Sequence, residues 1–232
     1  MDELAQLRSL LRSHLSGGNT DPLGLAPKIP KYDVYPRDYL QFAEEELAIG
    51  TARSKIACVA NLKRAVDSQV EIFLKAYGLY DLVAAQGGGL GARLEFLERV
   101  GLFNSRALRR LNAIRNKVEH EFRVPEIQEL DVYHDLAYAL VSLLEKVILL
   151  PFTSHQTLFA WDDMGNQWPA KLDVEWNPTK GVLSFKADRD VGGLMCSFDG
   201  KDWAAFQAAL RIHFLLSQRQ AFRSDDYIVK NL

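Results

Sequence analysis

The amino-acid sequence predicts a mainly α protein: a bundle of four or five helices, followed by a small β-hairpin or sheet with a closing helix. Three observations carry that expectation. Apolar residues recur at three- and four-residue steps through the first two thirds of the 232-residue chain. Glycine and proline gather into a few short breaks. Beyond Pro151 the texture changes to alternating apolar and polar residues. With 48% hydrophobic and 25% charged residues, the composition is that of a folded globular chain and excludes wholesale disorder.

Each element follows from its local pattern. Residues 2–15 place Leu4, Leu7, Leu11 and Leu15 on one helical stripe. Residues 16–36 hold four of the eight prolines together with Gly17, Gly18 and Gly24, and read as an irregular connector. Residues 1–36 are thus expected to be an N-terminal helix and a linker. From Arg37 to about Tyr77 the pattern is helical, either continuous or broken near Gly50-Thr51. Its second half steps through Ile56, Val59, Leu62, Val66, Val70, Phe73, Leu74 and Tyr77. Gly78 is a stop signal. The cluster Gly87-Gly88-Gly89 with Gly91 lacks the following Lys-Ser/Thr of a P-loop and reads as a flexible turn. A short helix over 91–100 ends at Gly101. Asn104 or Ser105 then caps a helix running to Arg123, which Pro125 stops. Pro125 also suits the first turn of the next helix, 126–149, whose apolar side carries Leu130, Tyr133, Leu136, Leu140, Leu144 and Ile148. Residues 37–150 therefore form the bundle.

Residues 151–232 are expected to form a small α+β domain. Leu172, Val174 and Trp176 alternate with polar residues. A turn at 177–181 follows, and Leu183, Phe185 and Ala187 alternate again, which makes a hairpin. Residues 194–198 add a candidate strand. Asp202 caps a helix over about 203–219.

Several function classes drop out early. A net charge of -2 carries no signature of a non-specific nucleic-acid clamp. Cys58 and Cys196 lie far apart in apolar runs with no CxxC pair, which predicts two buried free thiols and no thiolate metal site. His14, His134, His155 and His213 show no metal-ligand spacing, so neither metal nor cofactor is expected. The N-terminal segment mixes acidic and basic residues, as an amphipathic helix does and a signal peptide does not. The most apolar run, 137–152, is interrupted by Glu145 and Lys146 and is too short to span a bilayer. A cytoplasmic protein without membrane attachment is expected.

The chemistry-bearing segment is the helix at 104–123. With Arg115 at the origin of a wheel turning about 100° per residue, Leu108, Leu111, Ile114, Val118 and Phe122 fall between about +20° and -100°. Arg115 sits inside the edge of that arc, where a guanidinium is costly unless it is paired or opens on a cleft. Asn112, Glu119, Asn116 and His120 spread over about +40° to +140°. Asn116 and His120 are one turn apart, as are Arg115 and Glu119. Arg forks onto phosphate oxygens and His exchanges protons near neutral pH. Together they suffice for metal-free cleavage of RNA by the ribose 2′-hydroxyl. Residues 105–123 contain six Lys or Arg against two Glu, a local charge of +4 on an acidic chain and a candidate backbone-binding patch. The bland alternative is a solvated Arg/Glu face with a His placed for the helix dipole.

The run IRNKVEHEF, on a helix that ends just before a proline and precedes a long apolar helix, resembles the HEPN family, as does the upstream helix NLKRAVDSQVEIFLKAYG. The likeness covers roughly residues 37–150 in element order. It implies an all-α bundle, a homodimer whose two motifs share one cleft, and metal-independent endoribonuclease activity of the kind found in toxin–antitoxin, abortive-infection and RNA-processing systems, with a possible antitoxin or defence partner. Mapped onto this chain, Arg115 would bind and polarise the scissile phosphate, His120 would act as general acid or base, and Asn116 would orient His120 or the phosphate. Arg109, Arg110, Asn112, Lys117 and Glu119 flank them as candidate substrate-binding residues, Glu119 holding Arg115 in place. Phe122 stands where some toxin members carry a Tyr that a partner nucleotidyltransferase modifies, so that mode of control is not expected here. The alternatives are a non-catalytic dimerisation or nucleotide-binding module, and a scaffold whose business is done by the β-containing tail.

Two further groups attract notice. Asp67, Glu71 and Lys75 share a helix face near Arg64, either as a solvated face braced by ion pairs or as part of the same cleft. Trp161, Trp168, Trp176 and Trp203 crowd the tail as a small-domain core or a base-stacking platform.

Overall fold

The computed structural model describes residues 2–14, 19–23, 31–103, 113, 116, 118, 120, 121, 124, 126–149, 154–158, 171–189, 192–219 and 223–232. Within them the chain is mainly helical, with one antiparallel sheet, and it divides into two compact units.

The helical unit comprises 28–98 and 103–150. Its frame is α2 (Pro36–Ile49), α3 (Ala52–Ala76) and α6 (Ile127–Leu149), which pack on one another, with α4 (Tyr80–Ala84) and α5 (Leu90–Arg99) alongside in sequence. The break near Gly50-Thr51 is real. Gly50 takes φ 71, a left-handed conformation that closes α2 without a Cβ penalty, and the Thr51 hydroxyl accepts the Ser54 amide at 3.1 Å to open α3. Pro36 occupies the first turn of α2, and Asp38 reaches back to accept the Tyr35 amide at 2.8 Å. The expected stripe of α3 is buried except at Ile56, which is exposed: Val59, Leu62, Val66, Val70, Phe73 and Leu74 join Leu130, Ala137, Leu140 and Leu144 of α6 in a common core. The Tyr77 hydroxyl donates to the Val147 carbonyl at 2.9 Å. Burial raises its pKa.

The second unit joins residues 1–27, 99–102 and 151–232. Its sheet runs β1 (Asn19–Leu23), β2 (Ser154–Leu158), β3 (Lys171–Asn177), β4 (Val182–Ala187), β5 (Met195–Asp199), antiparallel and in sequence order. The expected hairpin is β3–β4, with Val174 opposite Phe185 and Trp176 opposite Leu183. One face is buried, through Leu172, Val174, Trp176, Leu183, Phe185, Cys196 and Phe198. Against the sheet pack α1 (Glu3–His14) and α7 (Trp203–Ser217), the latter capped by Asp202, which accepts the Ala205 amide at 3.1 Å. A final helix, α8 (Asp225–Asn231), is tied to α7 by Arg211, which donates to the carbonyl and the side chain of Asn231, both at 3.1 Å.

Three expectations need correction. The connector at 16–36 is not irregular throughout, because residues 19–23 form β1. The pairing of β1 with β2 supplies the backbone bonds that a Pro-containing segment cannot make alone, and an edge strand tolerates Pro22 because only one side must pair. The N-terminal helix and strand then belong with the C-terminal residues, whereas the sequence suggested a separate N-terminal segment. The helix expected at 203–219 ends at Ser217, and α8 follows it.

Among the described residues, no helix is long and apolar enough to cross a membrane.

Candidate functional site

Two of the three motif residues can be located. Asn116 and His120 are both helical and both exposed, as is Ala113, while Val118 is half-buried. On the wheel, Ala113, Asn116 and His120 fall together near +100° to +160° and Val118 on the opposite side near -60°. The amphipathic direction expected from sequence is therefore present over this turn, and the Asn and His share its outer face. Neither side chain makes a hydrogen bond with another described residue. Arg115 lies outside the described residues, as do Arg109, Arg110, Asn112, Lys117, Glu119 and Phe122.

The second charged group resolves into an ion-pair network within the helical unit. Lys75 meets Glu71 at 2.6 Å, and Arg93 of α5 reaches Asp67 at 3.1 Å and Glu71 at 3.9 Å. Lys63 approaches Asp67 at 3.9 Å. The Tyr80 ring lies 5.2 Å from both the Lys75 ammonium and the Arg93 guanidinium. Every carboxylate here is balanced by a cation, which describes a brace between α3 and α5.

Sequence reading missed a pocket of about 310 Å³ in the helical unit, lined by Tyr35, Pro36, Arg37, Gln69, Ile72, Glu145 and Ile148. Arg37 clasps Glu145 through two bonds, at 2.6 and 3.0 Å, donates to the Ser142 hydroxyl at 2.9 Å, and rests 4.5 Å over the Tyr138 ring. Gln69 lies among the buried apolar residues of α3 and is only 2% exposed. The available signal was a glutamine three residues after Val66 and four before Phe73, at a step where the stripe calls for an apolar side chain.

In the sheet-containing unit, His155 and His213 are buried and stacked, with ring centroids 4.9 Å apart and planes 13° from parallel. His155 Nε2 lies 3.1 Å from the His213 carbonyl and donates to it, so Nδ1 carries no proton. Burial, and secondarily the neighbouring His213, holds the His155 pKa well below the ordinary histidine value. Trp176 is buried and packs on Phe206, as a core residue does, while Trp161 and Trp168 lie outside the described residues. Both cysteines are free and buried, and burial pushes the Cys58 thiol up to about 11 and the Cys196 thiol to about 12. Among the described residues no group of three or more His, Cys, Asp or Glu side chains could hold a metal ion.

No protein-family model matches the chain, and neither does any curated protein or solved structure.

Proposed function

We propose that this chain is a HEPN-type, metal-independent endoribonuclease that works as a homodimer in a toxin, abortive-infection or other defence setting. The observation that carries the reading is the placing of His120 and Asn116 one helical turn apart on an exposed face, within an Arg-Asn-x-x-x-His run inside a segment, 105–123, with a local charge of +4. Phosphodiester cleavage asks for little more. The ribose 2′-oxygen forms a bond to phosphorus while the bond to the 5′-oxygen breaks. The 2′-hydroxyl gives up its proton to a base, and the leaving 5′-oxygen takes one from an acid. One imidazole performs one of these transfers, and its counterpart on the second copy can perform the other. Arg115 meets the charge that builds on the non-bridging oxygens. Asn116 orients the imidazole or a phosphate oxygen. The flanking cations Arg109, Arg110 and Lys117 hold the backbone, and Asn112 and Glu119 position it and Arg115.

The purified 232-residue chain incubated with mixed RNA and EDTA should yield fragments ending in 2′,3′-cyclic phosphates. His120→Ala and Arg115→Ala should each reduce cleavage by at least about 100-fold. If the wild type leaves RNA intact but Arg115→Ala dissolves a dimer, the chain is a dimerisation module. If both variants cut like wild type, these residues are not the site.

A further inference from the structure

We infer that the pocket between α2, α3 and α6 binds a small neutral molecule with an apolar, preferably aromatic, body and a carboxamide-type edge. Its volume of about 310 Å³ is at the lower end of natural small-ligand sites and suits a compact ligand. Pro36, Ile72 and Ile148 supply an apolar lining and Tyr35 an aromatic ring. Gln69 supplies the polar requirement. It is 2% exposed, it lines the pocket, and its amide has no hydrogen-bond partner among the described residues. A buried amide is retained at a packing position when something meets both its donor and its acceptor. A primary carboxamide or lactam edge does so in one planar contact, offering C=O to the amide NH2 and N–H to its oxygen.

Charge narrows the class further. The ionised side chains of the lining are Arg37 and Glu145, and they are committed to each other at 2.6 and 3.0 Å, with Ser142 and the Tyr138 ring completing the guanidinium's surroundings. A charged ligand would lose its hydration without gaining a counter-ion, so a neutral one is selected. None of the pocket residues belongs to the Arg115–His120 motif, so this site stands or falls independently of the nuclease reading.

The test uses the full chain and benzamide as probe, with benzoate and toluene as charged and apolar shape-mates, followed by ligand-observed NMR titration. Benzamide should bind in the millimolar range and about tenfold or more tighter than either control. Gln69→Leu should erase that preference, and Ile72→Trp, which fills the space, should abolish binding of all three, with thermal melts verifying that both variants are folded. If Ile72→Trp does not fold, Ile148→Phe serves the same purpose. Equal binding of benzamide and its two controls, or an undiminished preference in Gln69→Leu, overturns the inference.

Discussion

At His120 exposure separates chemistry from stability. The side chain makes no hydrogen bond with a described residue and stands on an outer face, so His120→Ala should change unfolding free energy by no more than about 0.5 kcal/mol while removing the proton carrier of the proposed reaction. Chemical denaturation beside the RNA assay checks this, and a large loss of stability would return the residue to a structural role. Gln69 is the reverse case. Replacing its buried amide by the similarly sized leucine should raise stability by roughly 1 kcal/mol, because an unmatched polar group leaves the core. An unchanged or lower denaturation midpoint would mean that the amide is satisfied in the native state. Only the spacing of the motif was legible from sequence, because it consists of residue types at fixed steps; Arg115 itself lies outside the described residues. Gln69 and the Arg37–Glu145 clasp were not legible, since 108 positions separate that pair and only the packed helices bring it together.

For the elements, legibility followed the range of the interactions that make them. The break between α2 and α3 was visible because a left-handed glycine and a threonine cap are local signals. Gly50→Ala should cost about 1 kcal/mol or more through its φ of 71, and Thr51→Ala about 1 kcal/mol through loss of the bond to the Ser54 amide, each read from urea midpoints. The hairpin β3–β4 was visible because its strands alternate and its turn is short. Strands β1 and β2 were not. The first contains Asp21 and Pro22 and owes its conformation to a partner far along the chain. The helix α4 has only five residues, too few for a periodic pattern to register.

For the whole molecule, the stacked histidines give the sheet-containing unit a dependence on acidity. In the unfolded chain His155 takes up a proton below about pH 6.5, whereas the buried ring resists it. Stability is therefore complete above that pH and falls as the solution is acidified, by up to about 1.4 kcal/mol per pH unit, until the native ring itself titrates. Urea midpoints followed by tryptophan fluorescence at pH 7.5, 6.5 and 5.5 should show this slope, and His155→Phe should flatten it; an equal slope in the variant would assign the effect to other groups. The pairing of β1 with β2 spans much of the chain. Roughly 130 residues lie between Leu23 and Ser154, and nearly the whole helical unit is spelled out within that interval. As the ribosome releases the chain, the first strand must wait for its mate until the bundle has been synthesised. A nascent polypeptide stalled before residue 154 should carry a protease-resistant middle and a cleavable beginning, and the beginning should become resistant once translation runs on.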